Sequence, residues 1–193
     1  MRRMWSCIIK FLLPMLVLNI ELYAQNLNYY NIFDFKVTLL DGKELDLETE
    51  KGKVLLIINV PAKCGFTGQL QQLEQVWQQY KDRGLLMIAI PSNDFNDKQA
   101  STNKVDDKEC KLDQIATFPI AAPSKVIGDN AHPIYQWLKA SRGMASIPEN
   151  DYFKVIIDSD GEIKETYGNN ISILSSSIIK SIENSISRII PNY

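Results

Sequence analysis

The chain has 193 residues, 45% of them hydrophobic and 23% charged, and carries a formal net charge of -2. That length supports one domain with a substantial core and is short for two. The near-neutral balance, without blocks of like charge, argues against nucleic acid or another polyanion as a partner.

Residues 1–24, "MRRMWSCIIKFLLPMLVLNIELYA", open with Arg2 and Arg3 and run into an apolar stretch that ends at Ala24, ahead of polar "QNLN". A basic region, an apolar region and a small residue in that order read as a secretory signal peptide. Leu22 stands where a small residue is preferred, and an uncleaved N-terminal membrane anchor is the alternative. Lys10 and Pro14 interrupt the apolar run, which is short for a span. On either reading the domain, residues 25–193, is exported, periplasmic or secreted.

The stretch 32–53, "IFDFKVTLLDGKELDLETEKGK", alternates apolar and polar residues around Asp41-Gly42 and predicts a β-hairpin at a sheet edge. Residues 53–60, "KVLLIINV", form an unbroken apolar run, as expected of a strand buried on both faces. A helix is predicted over 67–84, with Leu70, Leu73, Val76, Trp77 and Tyr80 at helical spacing and Gly84 as its stop. "LLMIAIPSN" (85–93) is a second buried strand. The polar segment 103–119 reads as helical, and a short helix over 131–143 has Pro133 near its first turn. Strands at 152–158 and 162–168 flank the turn "DSDGE" in an antiparallel hairpin, and an amphipathic helix over 172–190 closes the chain. The order β-β-β-α-β-α-α-β-β-α predicts an α/β fold: a mixed central sheet with helices on both faces and an N-terminal hairpin, as in thioredoxin-like proteins.

Three cysteines occur, and removal of Cys7 with the signal would leave Cys64 and Cys110. In an oxidising compartment these two form either a structural staple or a redox couple. Cys64 follows the apolar strand and precedes a helix, at the carboxyl end of a strand where reactive groups of open α/β sheets collect. A helix N-terminus, with Lys63 adjacent, favours thiolate over thiol. Thr67 stands where a dithiol motif would carry its second cysteine. A buried structural cysteine is the competing reading, but the small neighbours Ala62, Gly65 and Gly68 favour an accessible thiol.

Four ordered stretches resemble the glutathione peroxidase family: "GKVLLIINVPAKCGFT", "IAIPSNDF", "NAHPIYQWLK" and "YFKVIIDSDGEIKETY". The second has Ser92 and Asp94 where the family carries Cys and Gln. The resemblance covers roughly residues 31–190 and implies a thioredoxin-like fold and a thiol peroxidase acting on hydrogen peroxide or organic hydroperoxides. It implies that Cys64 is the peroxidatic residue, that Gln99 is the amide donor toward sulfur and peroxide, and that Cys110 is a resolving cysteine. The family's Trp-Asn pair corresponds to Asn150-Asp151, so the indole is absent and a carboxylate replaces an amide. Asp151 near Cys64 would oppose thiolate formation. That departure supports a rival reading, a non-enzymatic redox sensor or binding protein on the same fold.

The resemblance also implies a thioredoxin-like or other thiol reductant. The short connection "ASRGMASIPEN" implies a monomer, because it lacks the longer oligomerisation loop of tetrameric members. Trp137 reads as core, and His132, the only histidine, reads as a helix start with no ligand set around it. No phosphate loop, Ser-His-Asp arrangement or flavin fingerprint occurs, so no metal or other cofactor is expected.

Overall fold

The computed structural model describes residues 30–62, 67–95, 112 and 116–188. Nine regular elements occur among them: β1 (Lys36–Thr38), β2 (Glu44–Asp46), β3 (Val54–Pro61), α1 (Thr67–Tyr80), β4 (Leu85–Ser92), α2 (Pro133–Arg142), β5 (Lys154–Ile157), β6 (Ile163–Tyr167) and α3 (Ser176–Ser187). The main sheet has the order β4-β3-β5-β6. β3 pairs parallel with β4 and antiparallel with β5, and β5 pairs antiparallel with β6. This is the thioredoxin-like arrangement expected, with the hairpin β5–β6 closing one edge.

The two parallel strands β3 and β4 are buried along their whole length, which is why they read as mostly apolar runs rather than alternating ones. Successive β3 side chains point to opposite faces. Leu55 and Ile57 join Ile134, Trp137 and Leu138 of α2 and the N-terminal residues Ile32, Phe33 and Val37. Leu56, Ile58 and Val60 meet Leu70, Leu73 and Val76 of α1 and Ile178, Ile182 and Ile186 of α3. Helix α1 runs into a 3-10 turn, Lys81–Arg83, and ends at Gly84, whose φ of 100° is the left-handed conformation glycine adopts without cost.

The N-terminal hairpin turns at Asp41-Gly42 as its sequence predicts, but its strands span only three residues each before the chain coils into a 3-10 turn, Leu47–Glu50. It forms a separate two-stranded sheet rather than an edge of the main one. Residues 119–122 join the two: Ala89 N donates to Pro119 O and Ala121 N to Ala89 O, while Leu40 N donates to Ile120 O and Ala122 N to Thr38 O.

Helix ends follow their caps. His132 caps α2 through Nδ1, which accepts from Ile134 N at 3.3 Å, and Pro133 occupies the first helical position. Trp137 is core, with its indole Nε1 donating to Tyr30 O at 2.7 Å. Ser175 caps α3, so that helix begins later than its apolar periodicity suggests. Of the helix expected over 103–119, residues 103–111 and 113–115 lie outside the described residues. Ala116 N donates to Leu112 O, and residues 116–119 are not helical.

Candidate active site

The carboxyl end of β3 carries a polar residue inside an otherwise apolar strand. Asn59 is fully buried, and its side chain makes three contacts with the segment that leads into β5. Oδ1 accepts from Phe153 N at 2.9 Å, and Nδ2 donates to Asn150 O at 3.1 Å and reaches Asp151 Oδ1 at 3.5 Å. The backbone adds two further bonds, Tyr152 N to Asn59 O at 2.8 Å and Asn59 N to Phe153 O at 3.3 Å. One amide therefore fixes residues 150–153 against the strand end from which the chain continues to Cys64. A buried amide persists only when its polar atoms are paired, and here they are.

Tyr152 is the one non-glycine residue with a positive φ, at 62°, among the described residues. A bulky side chain in the left-handed region is strained and is held there by its surroundings. The ring is buried, and the backbone N–H is taken by Asn59. This kink delays the start of β5 from Tyr152, where the apolar pattern puts it, to Lys154.

Asp151 is buried beside two phenols. Burial first and the Asp151 carboxylate second hold the Tyr135 and Tyr152 hydroxyls far above the ordinary phenol range. Both therefore stay protonated at any physiological pH. The buried Tyr135 hydroxyl makes no hydrogen bond among the described residues. Lys154, on the next turn of chain, is also buried and donates from Nζ to Gly168 O at 3.1 Å and Ile171 O at 2.6 Å. Burial pulls its pKa down to about 8.

The structure thus brings Asn150 and Asp151 to the end of β3. Cys64, Gln99 and Cys110 lie outside the described residues, as do Lys63 and residues 1–24. Asn59 is a site residue that sequence reasoning missed, although its signal was present: an amide in the middle of "LLIINVP". The two departures in "IPSNDF" have structural work. Ser92 Oγ accepts from Asp94 N at 3.0 Å, and Asp94 Oδ2 accepts from Val126 N at 2.7 Å and Ile127 N at 3.2 Å. Together they pin the loop ahead of α2 to the end of β4. Among the described residues no helix is long and apolar enough to cross a membrane, and no three His, Cys, Asp or Glu side chains gather to hold a metal ion.

Comparison with known proteins gives the same answer from sequence and from structure. The glutathione peroxidase family model matches residues 32–139, a span that includes Cys64, Gln99 and Cys110. A glutathione peroxidase of Lactococcus lactis subsp. cremoris is 34% identical over 139 residues, which cover 71% of this chain and 88% of that protein. A glutathione peroxidase-like peroxiredoxin of Schizosaccharomyces pombe is 35% identical over 130 residues, 66% of this chain and 82% of the other. The crystal structure of Trgpx in its apo form is similar with a TM-score of 0.66 at 31% identity, over 82% of this chain and 97% of that one.

Proposed function

Because the chain belongs to the glutathione peroxidase family and is a thiol peroxidase, we propose that Cys64 is its peroxidatic residue and Cys110 its resolving residue. The Cys64 thiolate attacks the outer oxygen of a hydroperoxide. The O–O bond breaks, the departing oxygen takes a proton and leaves as alcohol or water, and Cys64 becomes a sulfenic acid. Gln99 donates its amide to the reacting oxygen. The Cys110 thiol then displaces water from the sulfenic acid and forms a disulfide, which an external dithiol of thioredoxin type reduces back to two thiols.

The observation that carries this reading is the buried Asn59 clamp, which holds Asn150 and Asp151 against the β3 end that leads into Cys64. Asp151 stands where the family carries an amide, and a carboxylate facing the thiol would disfavour the thiolate and hold the rate at neutral pH down. The N-terminal segment supports export, so the reductant is itself an exported or membrane-fed dithiol. The short Gly143–Ser146 turn after α2 supports a monomer, because it offers no extended oligomerisation loop.

The test is peroxide consumption with a thioredoxin system for wild type, Cys64→Ser and Cys110→Ser. Cys64→Ser abolishes turnover, whereas Cys110→Ser leaves one rapid turnover per chain and stops recycling. Full activity in Cys64→Ser would overturn the assignment. An unchanged steady state in Cys110→Ser would remove the resolving role and leave a static staple.

A further inference from the structure

A polar cleft lies beside α1, on the sheet face that packs α1 and α3. It encloses about 260 Å³, and its hydrogen-bonding walls are Gln69, Gln72, Tyr152, Lys154, Asn169 and Ser172, with Asn170 at the rim. Among the described residues no Asp or Glu lines it. Lys154 is 2% exposed, and among the described residues its ammonium head is met by the carbonyls of Gly168 and Ile171, in the loop that forms one wall of the cleft. A buried lysine ordinarily sits beside a carboxylate, because two carbonyl dipoles do not offset the loss of hydration of a full charge. Burial lowers the Lys154 pKa, in keeping with that geometry.

We propose that this cleft binds the carboxylate of a small molecule, with Lys154 as its counter-ion and the amides of Gln69, Asn169 and Asn170 as flanking donors. A single positive charge matches a monoanion, and neutral amides with a hydroxyl supply donors without repelling it. A phosphate dianion would leave one negative charge unbalanced. Gln69 stands five residues after Cys64 in the chain, so a ligand here shares the helix that the reactive cysteine precedes. The carboxylate comes from one of two sources, an acidic hydroperoxide or an acidic thiol reductant. Only the choice between these sources rests on the peroxidase reading; the site itself does not.

Titration with acetate, hexanoate and inorganic phosphate, followed by amide NMR of the full protein, tests the site without any turnover. Acetate and hexanoate should give saturable shifts at Gln69, Asn169 and Asn170 and raise the Lys154 pKa, whereas phosphate should not. Lys154→Met removes the cation. Asn170→Glu, at an exposed position, supplies a carboxylate from the protein itself and keeps the test open if the first variant fails to fold. Each should weaken acetate binding about ten-fold or more, the worth of one charge-assisted contact. No saturable shift, equal binding in Asn170→Glu, or a preference for phosphate would overturn the proposal. The source follows from turnover. If Asn170→Glu raises KM for an acidic hydroperoxide but not for its methyl ester, the substrate carries the carboxylate. If it raises KM only for an acidic thiol, the reductant does.

Discussion

Strand β5 is bracketed by two side-chain clamps, and they solve the same problem with opposite chemistry. At its start the neutral amide of Asn59 holds residues 150–153. At its end Asp158 holds the turn to β6, with Oδ1 accepting from Asp160 N at 3.1 Å and Glu162 N at 2.9 Å, while Oδ2 meets Lys164 Nζ at 2.7 Å. Each clamp stands beside a left-handed residue. The outer one uses Gly161, at φ 86°, and the inner one uses Tyr152, at φ 62°. The outer turn only has to reverse the chain, so glycine relieves it. Strain is kept where the segment faces the candidate site, and the burial of Tyr152 together with the Asn59 bonds holds it there.

The inner clamp is the more costly to remove. Asn59→Ala strands the buried Phe153 N–H, unpairs the half-buried Asn150 carbonyl and releases the kink at Tyr152. A destabilisation of about 3 kcal/mol is expected, since each buried unpaired group costs about 1–3 kcal/mol. Denaturant unfolding measures it, and peroxide turnover should fall with it. A loss below about 1 kcal/mol, within the range of an ordinary single hydrogen bond, would show that the segment is held by burial of Tyr152 and Phe153 instead.

Much of this was legible in the sequence, for identifiable reasons. Strands β3 and β4 announce themselves because both of their faces are buried, and α1 because its apolar residues repeat at helical spacing. The β5–β6 turn is readable because Asp158 and Gly161 are turn chemistry. The strain at Tyr152 was not legible, since nothing local in "NDYFK" demands a left-handed tyrosine; the demand comes from Asn59, 93 positions away (152 minus 59). The detached N-terminal hairpin escaped for a similar reason. Its attachment depends on residues 119–122, a bridge between distant segments that periodicity does not encode. Asn150 and Asp151 could be aligned to a family pattern, but the burial of Asp151 and the amide that anchors both are tertiary facts.

The outer turn should be broken next most readily by Gly161→Ala. A methyl group at φ 86° is strained, and it would also collide with the Asn31 side chain, whose Nδ2 donates to Asp160 O at 2.8 Å. Backbone strain and the displaced contact together should cost about 2 kcal/mol in unfolding free energy. A neutral result would mean that the turn relaxes freely and that its glycine is not required, which would erase the contrast with Tyr152.

The smallest effect separates the two clamps by their charge. Hydrogen bonds to Lys164 and to the turn amides hold the Asp158 carboxyl below its ordinary range, against a burial penalty that pushes the other way. A depressed folded pKa contributes stability above the unfolded value, near pH 4, and that contribution is lost as pH falls through the lower folded value. Asp158→Ala should therefore cost about 1.5 kcal/mol at neutral pH, with the partly exposed Lys164 pair adding little to the two amide bonds. The difference from wild type should shrink as pH falls below about 4 and the wild-type carboxyl protonates. The Asn59→Ala difference should not shrink in that way, because an amide does not titrate. Unfolding curves for both variants at neutral pH and near pH 2 make the comparison. If the Asp158 cost persists unchanged into acid, the turn is held by its backbone bonds, and the charged clamp is not what sets it apart from the buried one.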